Sequence, residues 1–139
     1  MIRKKTLPMG AAWEKAAVIQ QEARKEGFDW PDVHGVLDKI REEVEELRQE
    51  LEKGEEAAIS EEFGDLLFSV VKLSRYIPLD PDACLSLTNE KFAARFSLAC
   101  EKASREGIPF SRLSLEEMIR LWEEAKIEEP AKKDLQKLF

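Results

Sequence analysis

Apolar residues recur along this chain at helical spacing. From Val33 they fall at Val36, Leu37, Ile40, Val44, Leu47 and Leu51, and these steps of three, one, three, four, three and four draw one stripe. A second stripe passes through Ile59, Phe63, Leu66, Leu67, Val70 and Ile77. No strand-like alternation and no internal repeat competes with them. Local punctuation then places the ends. A first helix is expected from about Met9 to Glu26, with Gly27 in the left-handed stop position. "FDWPDVHG" reads as a connecting turn, because Pro31 pushes the residue before it away from helical geometry. A second helix is expected over Asp32–Lys53, stopped at Gly54, and a third over Glu56–Ile77. "PLDP" breaks the chain, with Asp80 as N-cap and Pro81 at the first position of a fourth helix that runs to Glu106 and closes at Gly107. Ser114–Glu117, "SLEE", has capping-box spacing and opens a fifth helix to Ile127. So few residues join the second and third helices that the two should pack as an antiparallel hairpin.

Composition narrows the class. The chain has 139 residues, 43% apolar and 37% charged, with only six glycines and six prolines. That suits one all-α domain with heavily charged outer faces, a bundle of about five helices over residues 1–127. Residues 128–139 read as a tail, loosely held or docked on a partner subunit. A net charge of −7 argues against direct nucleic-acid binding, but not against a phosphate substrate whose charge a metal offsets. Cys84 and Cys100 lie in no metal-ligand spacing and read as free, mostly buried thiols of a reducing compartment. The basic N-terminus is followed by no apolar run long enough for a signal peptide or a membrane span, so the expected location is cytoplasmic, with no membrane partner.

Charge distribution raises the chemical question. Between Lys39 and Phe68, eleven of thirty residues are acidic. At about 100° per residue, Lys39, Glu43, Glu46 and Glu50 share a strip beside the apolar stripe, and Glu62, Asp65 and Ser69 do the same on the next helix. Either these are the solvated faces of a hairpin, or the two i,i+3 pairs converge across its groove. Convergence would demand hard cations between the carboxylates, and oxygen-only donors suit Mg²⁺ or Mn²⁺. Gly64, inside the third helix, reflects a close approach there or tight helix packing.

These residues resemble a known family. "EEVEE" (Glu42–Glu46) followed by "EFGD" (Glu62–Asp65) is similar to the EExxE…ExxD signature of MazG-type nucleoside triphosphate pyrophosphohydrolases. "NEKFAARF" (Asn89–Phe96) resembles the family's KFxxRF element, "LWEEAK" (Leu121–Lys126) its WxxxK, and "FDWPDVHGVLDKI" its leader. The resemblance implies an all-α homodimer or dimer of dimers. It also implies Mg²⁺-dependent cleavage of nucleoside triphosphates, ribo- or deoxyribo-, to monophosphate and pyrophosphate as nucleotide-pool housekeeping. Carried over by position, the metal ligands are Glu43, Glu46, Glu62 and Asp65. Lys39, Lys91, Arg95, Trp122 and Lys126 contact the nucleotide, and Glu42 or a metal-bound carboxylate takes the proton of the attacking water.

The remaining residues fall to other roles. Phe92 and Phe96 read as core anchors, Trp13 and Trp30 as packing, and His34 as a surface residue at a helix start. Lys72 stands where the family usually has asparagine, on the ligand face of the third helix; it could pair with Glu61, contact a phosphate or alter which nucleotide fits. Three rivals stand beside the main expectation. They are a phosphoribosyl-ATP pyrophosphohydrolase, a nucleotide-sensing helical dimer without turnover, and a purely structural bundle.

Overall fold

The computed structural model describes residues 10–128 and contains five α-helices and one 3-10 turn, with no strand among the described residues. The chain divides into two compact units between Pro78 and Leu79. The first holds α1 (Ala11–Lys25), α2 (Val33–Lys53) and α3 (Glu56–Ser74); the second holds α4 (Pro81–Arg105), a 3-10 turn at Phe110–Arg112 and α5 (Leu115–Glu128). The all-α class stands. The expected helix start at Met9 and the tail beyond Glu128 lie outside the described residues.

Glycine stops do what their position suggests. Gly27, Gly54 and Gly107 have φ of 86°, 76° and 85°, and each follows a helix. Asp32 caps α2 through its side chain, accepting from the N–H groups of His34 at 2.9 Å and Gly35 at 3.4 Å. Ser114 and Glu117 form the capping box of α5, the Glu117 N–H donating to Ser114 Oγ at 3.2 Å. Asp80 holds the N-cap position of α4 but makes no side-chain capping bond. α3 ends at Ser74 rather than Ile77. Residues Arg75 to Ile77 are held by i→i+3 bonds, a tightened last turn before Pro78.

In the first unit α2 and α3 fold back on one another through the two-residue turn at Gly54 and Glu55. α1 docks on α3, where buried Gln20 donates through Nε2 to the Phe68 carbonyl at 2.9 Å. Arg75, just past α3, pairs with Asp29 in the turn before α2 and also donates to the Tyr76 hydroxyl at 2.7 Å. These contacts tie α1 and the turn before α2 to α3. Among the described residues nothing lies within 4 Å of where a Cβ on Gly64 would stand, so tight helix packing within this chain does not explain it.

The core of the second unit is Ala99 and Ala103 of α4 against Leu113, Leu121 and Ala125, flanked by Leu98, Phe110 and Met118. The small residues at i,i+4 on α4 let α5 approach closely. Lys102 on the same helix reaches Glu124 at 3.7 Å and also Glu128. Two expectations need correction here. Phe92 and Phe96, expected in the core, keep 56% and 42% of their surface exposed, stacking on one another at 6.2 Å between ring centroids. They share the face of α4 that carries Ala99 and Ala103, seven residues nearer its N-terminus. Both cysteines are only partly buried, and both are free.

Candidate metal centre

Glu43 and Glu46 project from the middle of α2, Glu62 and Asp65 from the first half of α3. The i,i+3 spacing sets each pair on one helical face, and the hairpin brings the faces together. One oxygen each from Glu43, Glu62 and Asp65 lie within 4.8 Å of one another. Glu46 lies near enough to both Glu43 and Glu62 to raise their carboxyls. The helical wheel ranks these positions alike, yet their depths differ. Glu43 is buried at 3% exposure, Glu62 is half-buried, and Glu46 and Asp65 are exposed.

The electrostatics follow from that crowding. Desolvation pushes the Glu62 carboxyl up to about 7, helped by its contact with Glu46 and by the charges of Glu46, Glu43 and Asp65. Burial also raises Glu43, with Glu46 adding to the effect and Lys39 opposing it. Lys39 in turn is raised chiefly by Glu43, whose Oε2 lies 3.5 Å from its Nζ. Oε1 of Glu43 and Oε1 of Glu62 are both shut off from solvent with no hydrogen-bond partner among the described residues. Orphaned buried acceptors are uncommon in folded proteins. A hard divalent cation is the group that would satisfy two of them at once and ionise their neighbours. The donor set is all oxygen and fits Mg²⁺ or Mn²⁺.

The other residues singled out in the sequence are placed as follows. Glu42 keeps 63% of its side chain exposed and pairs with Lys39 at 3.8 Å. Lys72 lines a cleft of about 170 Å³ with Phe28, Asp29 and Trp30. Trp30 lies against Gly35, where a Cβ would come within 3.1 Å of its ring. His34 is exposed at the start of α2. In the second unit Lys91 and Arg95 are half-buried on α4. The Arg95 guanidinium lies over the Trp122 indole, 5.1 Å from its centroid, and Phe92 packs on that indole at 4.9 Å. Lys126 pairs with Glu123 at 3.6 Å on the exposed side of α5. Sequence reasoning missed the Asp29–Arg75 and Gln20–Phe68 ties to α3, because neither follows a periodicity.

Comparison with known proteins agrees with this geometry. Residues 32–96 match the family model of the MazG nucleotide pyrophosphohydrolase domain. The chain is 40% identical over 119 residues to the nucleoside triphosphate pyrophosphohydrolase/pyrophosphatase MazG of Thermotoga maritima, covering 86% of this chain and 46% of that protein. It is 33% identical over 117 residues to the nucleoside triphosphate pyrophosphohydrolase of Escherichia coli K12, covering 83% of this chain and 44% of the relative. A 65-residue stretch is 46% identical to the uncharacterized protein YabN of Bacillus subtilis, covering 47% of this chain and 13% of that one. The chain spans less than half the length of these curated relatives.

Proposed function

The segment from residue 32 to residue 96 belongs to the MazG nucleotide pyrophosphohydrolase domain family, and on that premise we propose that this chain hydrolyses nucleoside triphosphates between the α- and β-phosphates. The products are the nucleoside monophosphate and pyrophosphate, from ribo- or deoxyribonucleotides, in keeping the nucleotide pool clean. The observation that carries the proposal is the meeting of Glu43, Glu62 and Asp65 oxygens within 4.8 Å, two of these residues each bearing an orphaned oxygen. Glu43, Glu46, Glu62 and Asp65 would hold Mg²⁺, or Mn²⁺ in its place. When bound, the cation supplies charge for the polyphosphate and lowers the pKa of water.

The side chains of this protein do the rest. Cleavage consumes one water and breaks one phosphorus–oxygen bond to the bridging oxygen, and the water's proton needs an acceptor. Two groups are chemically competent: Glu42, exposed beside Lys39, or one of the four ligand carboxylates. Lys39 holds Glu43 in place at 3.5 Å and offers a cation to a phosphate oxygen. Lys91 and Arg95 are assigned to the triphosphate, Arg95 through its planar fork, with Lys126 as a further cation. A homodimer or homotetramer belongs to the proposal. It is supported by Val44, Leu51, Phe63 and Leu67, large apolar side chains of the hairpin that remain exposed. No helix among the described residues is long and apolar enough to cross a membrane. A cytoplasmic setting is proposed from the free thiols.

Product analysis tests the reaction. Purified protein with Mg²⁺ and a panel of triphosphates should release monophosphate and pyrophosphate, and a Glu43→Gln control should not. Diphosphate and orthophosphate would mean that the wrong bond has been assigned. Binding without turnover would favour the nucleotide-sensing alternative.

A further inference from the structure

The second unit carries an arrangement that assigns half-buried Trp122 a part of its own. An aromatic side chain in a nucleotide enzyme invites the role of base-stacking platform. Here the indole already has two neighbours. The Arg95 guanidinium lies over it at 5.1 Å from the ring centroid, while the Phe92 ring packs against it at 4.9 Å with 48° between the planes. Phe92 is itself stacked on Phe96, and Phe96 meets Phe110 edge-on at 5.3 Å. The indole is therefore braced by an aromatic row anchored in the core through Phe110. On α5 the neighbouring Leu121 is fully buried, so the helix that carries Trp122 is fixed in rotation.

We propose that Trp122 is a positioning residue that acts through Arg95: the indole holds the guanidinium in place for the polyphosphate and does not read the base. The inference rests on the pyrophosphohydrolase proposal for its substrate, but the arrangement in the second unit stands by itself. An arginine side chain has many rotamers, and a ligand that bound it loose would have to suppress that freedom. A planar cation resting on an indole gives up much of that freedom beforehand. At a half-exposed site a cation–π contact is worth about 0.5–1 kcal/mol, a factor of about two to five in binding.

The two roles separate with a ligand that has phosphates and no base. Inorganic tripolyphosphate is used as a competitive inhibitor of triphosphate turnover and, independently, as a ligand in calorimetric titration of the full chain with Mg²⁺. The expected result is that Trp122→Leu weakens tripolyphosphate and nucleoside triphosphate by the same factor, about two- to fivefold, with kcat little changed. Trp122→Leu added to Arg95→Met should cost nothing beyond Arg95→Met alone. Trp122→Phe, which keeps a ring in the aromatic row, should restore most of both affinities, and it remains informative if the leucine variant fails to fold. Loss of nucleotide affinity with tripolyphosphate binding unchanged, in either variant, would overturn the proposal and make Trp122 a base platform. Absence of turnover by the wild type, with tripolyphosphate still bound in calorimetry, would instead overturn the proposed reaction and leave this test readable.

Discussion

Glu43→Gln should invert the order of stability depending on whether a divalent cation is present. Glu43 is 3% exposed; its Oε2 faces Lys39 at 3.5 Å and its Oε1 faces no donor. An unsatisfied buried acceptor costs about 1–3 kcal/mol. The pair with half-exposed Lys39 returns about 0–1 kcal/mol, because solvent screens it. Glutamine keeps the volume, removes a charge that opposes Glu46 and Asp65, and can donate an N–H to Glu46. In chelator at pH 8 the variant should therefore melt higher than wild type, by about 1 kcal/mol or a few degrees. With Mg²⁺ at about a hundred times its dissociation constant, a protein that binds it gains about 2.7 kcal/mol. Wild type should take most of that gain and the variant little of it, so the melting curves cross. Thermal unfolding followed by circular dichroism, with chelator and with Mg²⁺, reads both arms. A variant that melts lower than wild type in chelator, or a wild type unmoved by millimolar Mg²⁺, would refute the reasoning.

Three further outcomes follow from the same geometry. The Glu62 carboxyl, pushed up to about 7, binds more protons in the folded than in the unfolded chain. Its contribution to stability is therefore complete below the ordinary carboxyl value of 4.5 and is lost as pH rises through about 7. Melting temperature in chelator should fall across that window, and both Glu62→Gln and added Mg²⁺ should flatten the slope in a pH series of thermal melts. Gly64→Ala meets open space inside α3 and should raise stability by about 1 kcal/mol in urea titration, with activity unchanged. Loss of activity would show that something in the working assembly approaches that position. Asp32→Ala removes the side-chain cap of α2 and should cost about 1 kcal/mol in the same titration; no cost would mean that the cap is idle in solution.

What the sequence displays and what it hides divide along physical lines. Helix stops were legible because they depend on one residue's own backbone: Gly27, Gly54 and Gly107 all adopt positive φ. The capping box at Ser114 was legible for the same reason. The end of α3 was overshot because the apolar stripe continues to Ile77 while Pro78 has already forced the last turn into i→i+3 bonds. The 3-10 turn at Phe110–Arg112 is too short for any periodicity. For the metal centre, i,i+3 spacing put each carboxylate pair on one face, and the short turn at Gly54 implied that the pairs could meet. Depth did not follow, since a wheel places Glu43 and Glu46 alike beside the stripe while packing buries only Glu43. The Arg95–Trp122 contact joins two helices whose relative rotation depends on the alanine seam of α4, which no local pattern encodes.

The central claim is that Glu43, Glu62 and Asp65, with Glu46 beside them, hold a divalent cation. Anomalous diffraction from crystals grown with Mn²⁺ tests it most directly. A peak about 2.0–2.3 Å from oxygens of these carboxylates, absent in a Glu43→Gln crystal, is the predicted result. Well-ordered carboxylates with no anomalous peak among them at saturating Mn²⁺ would contradict the account.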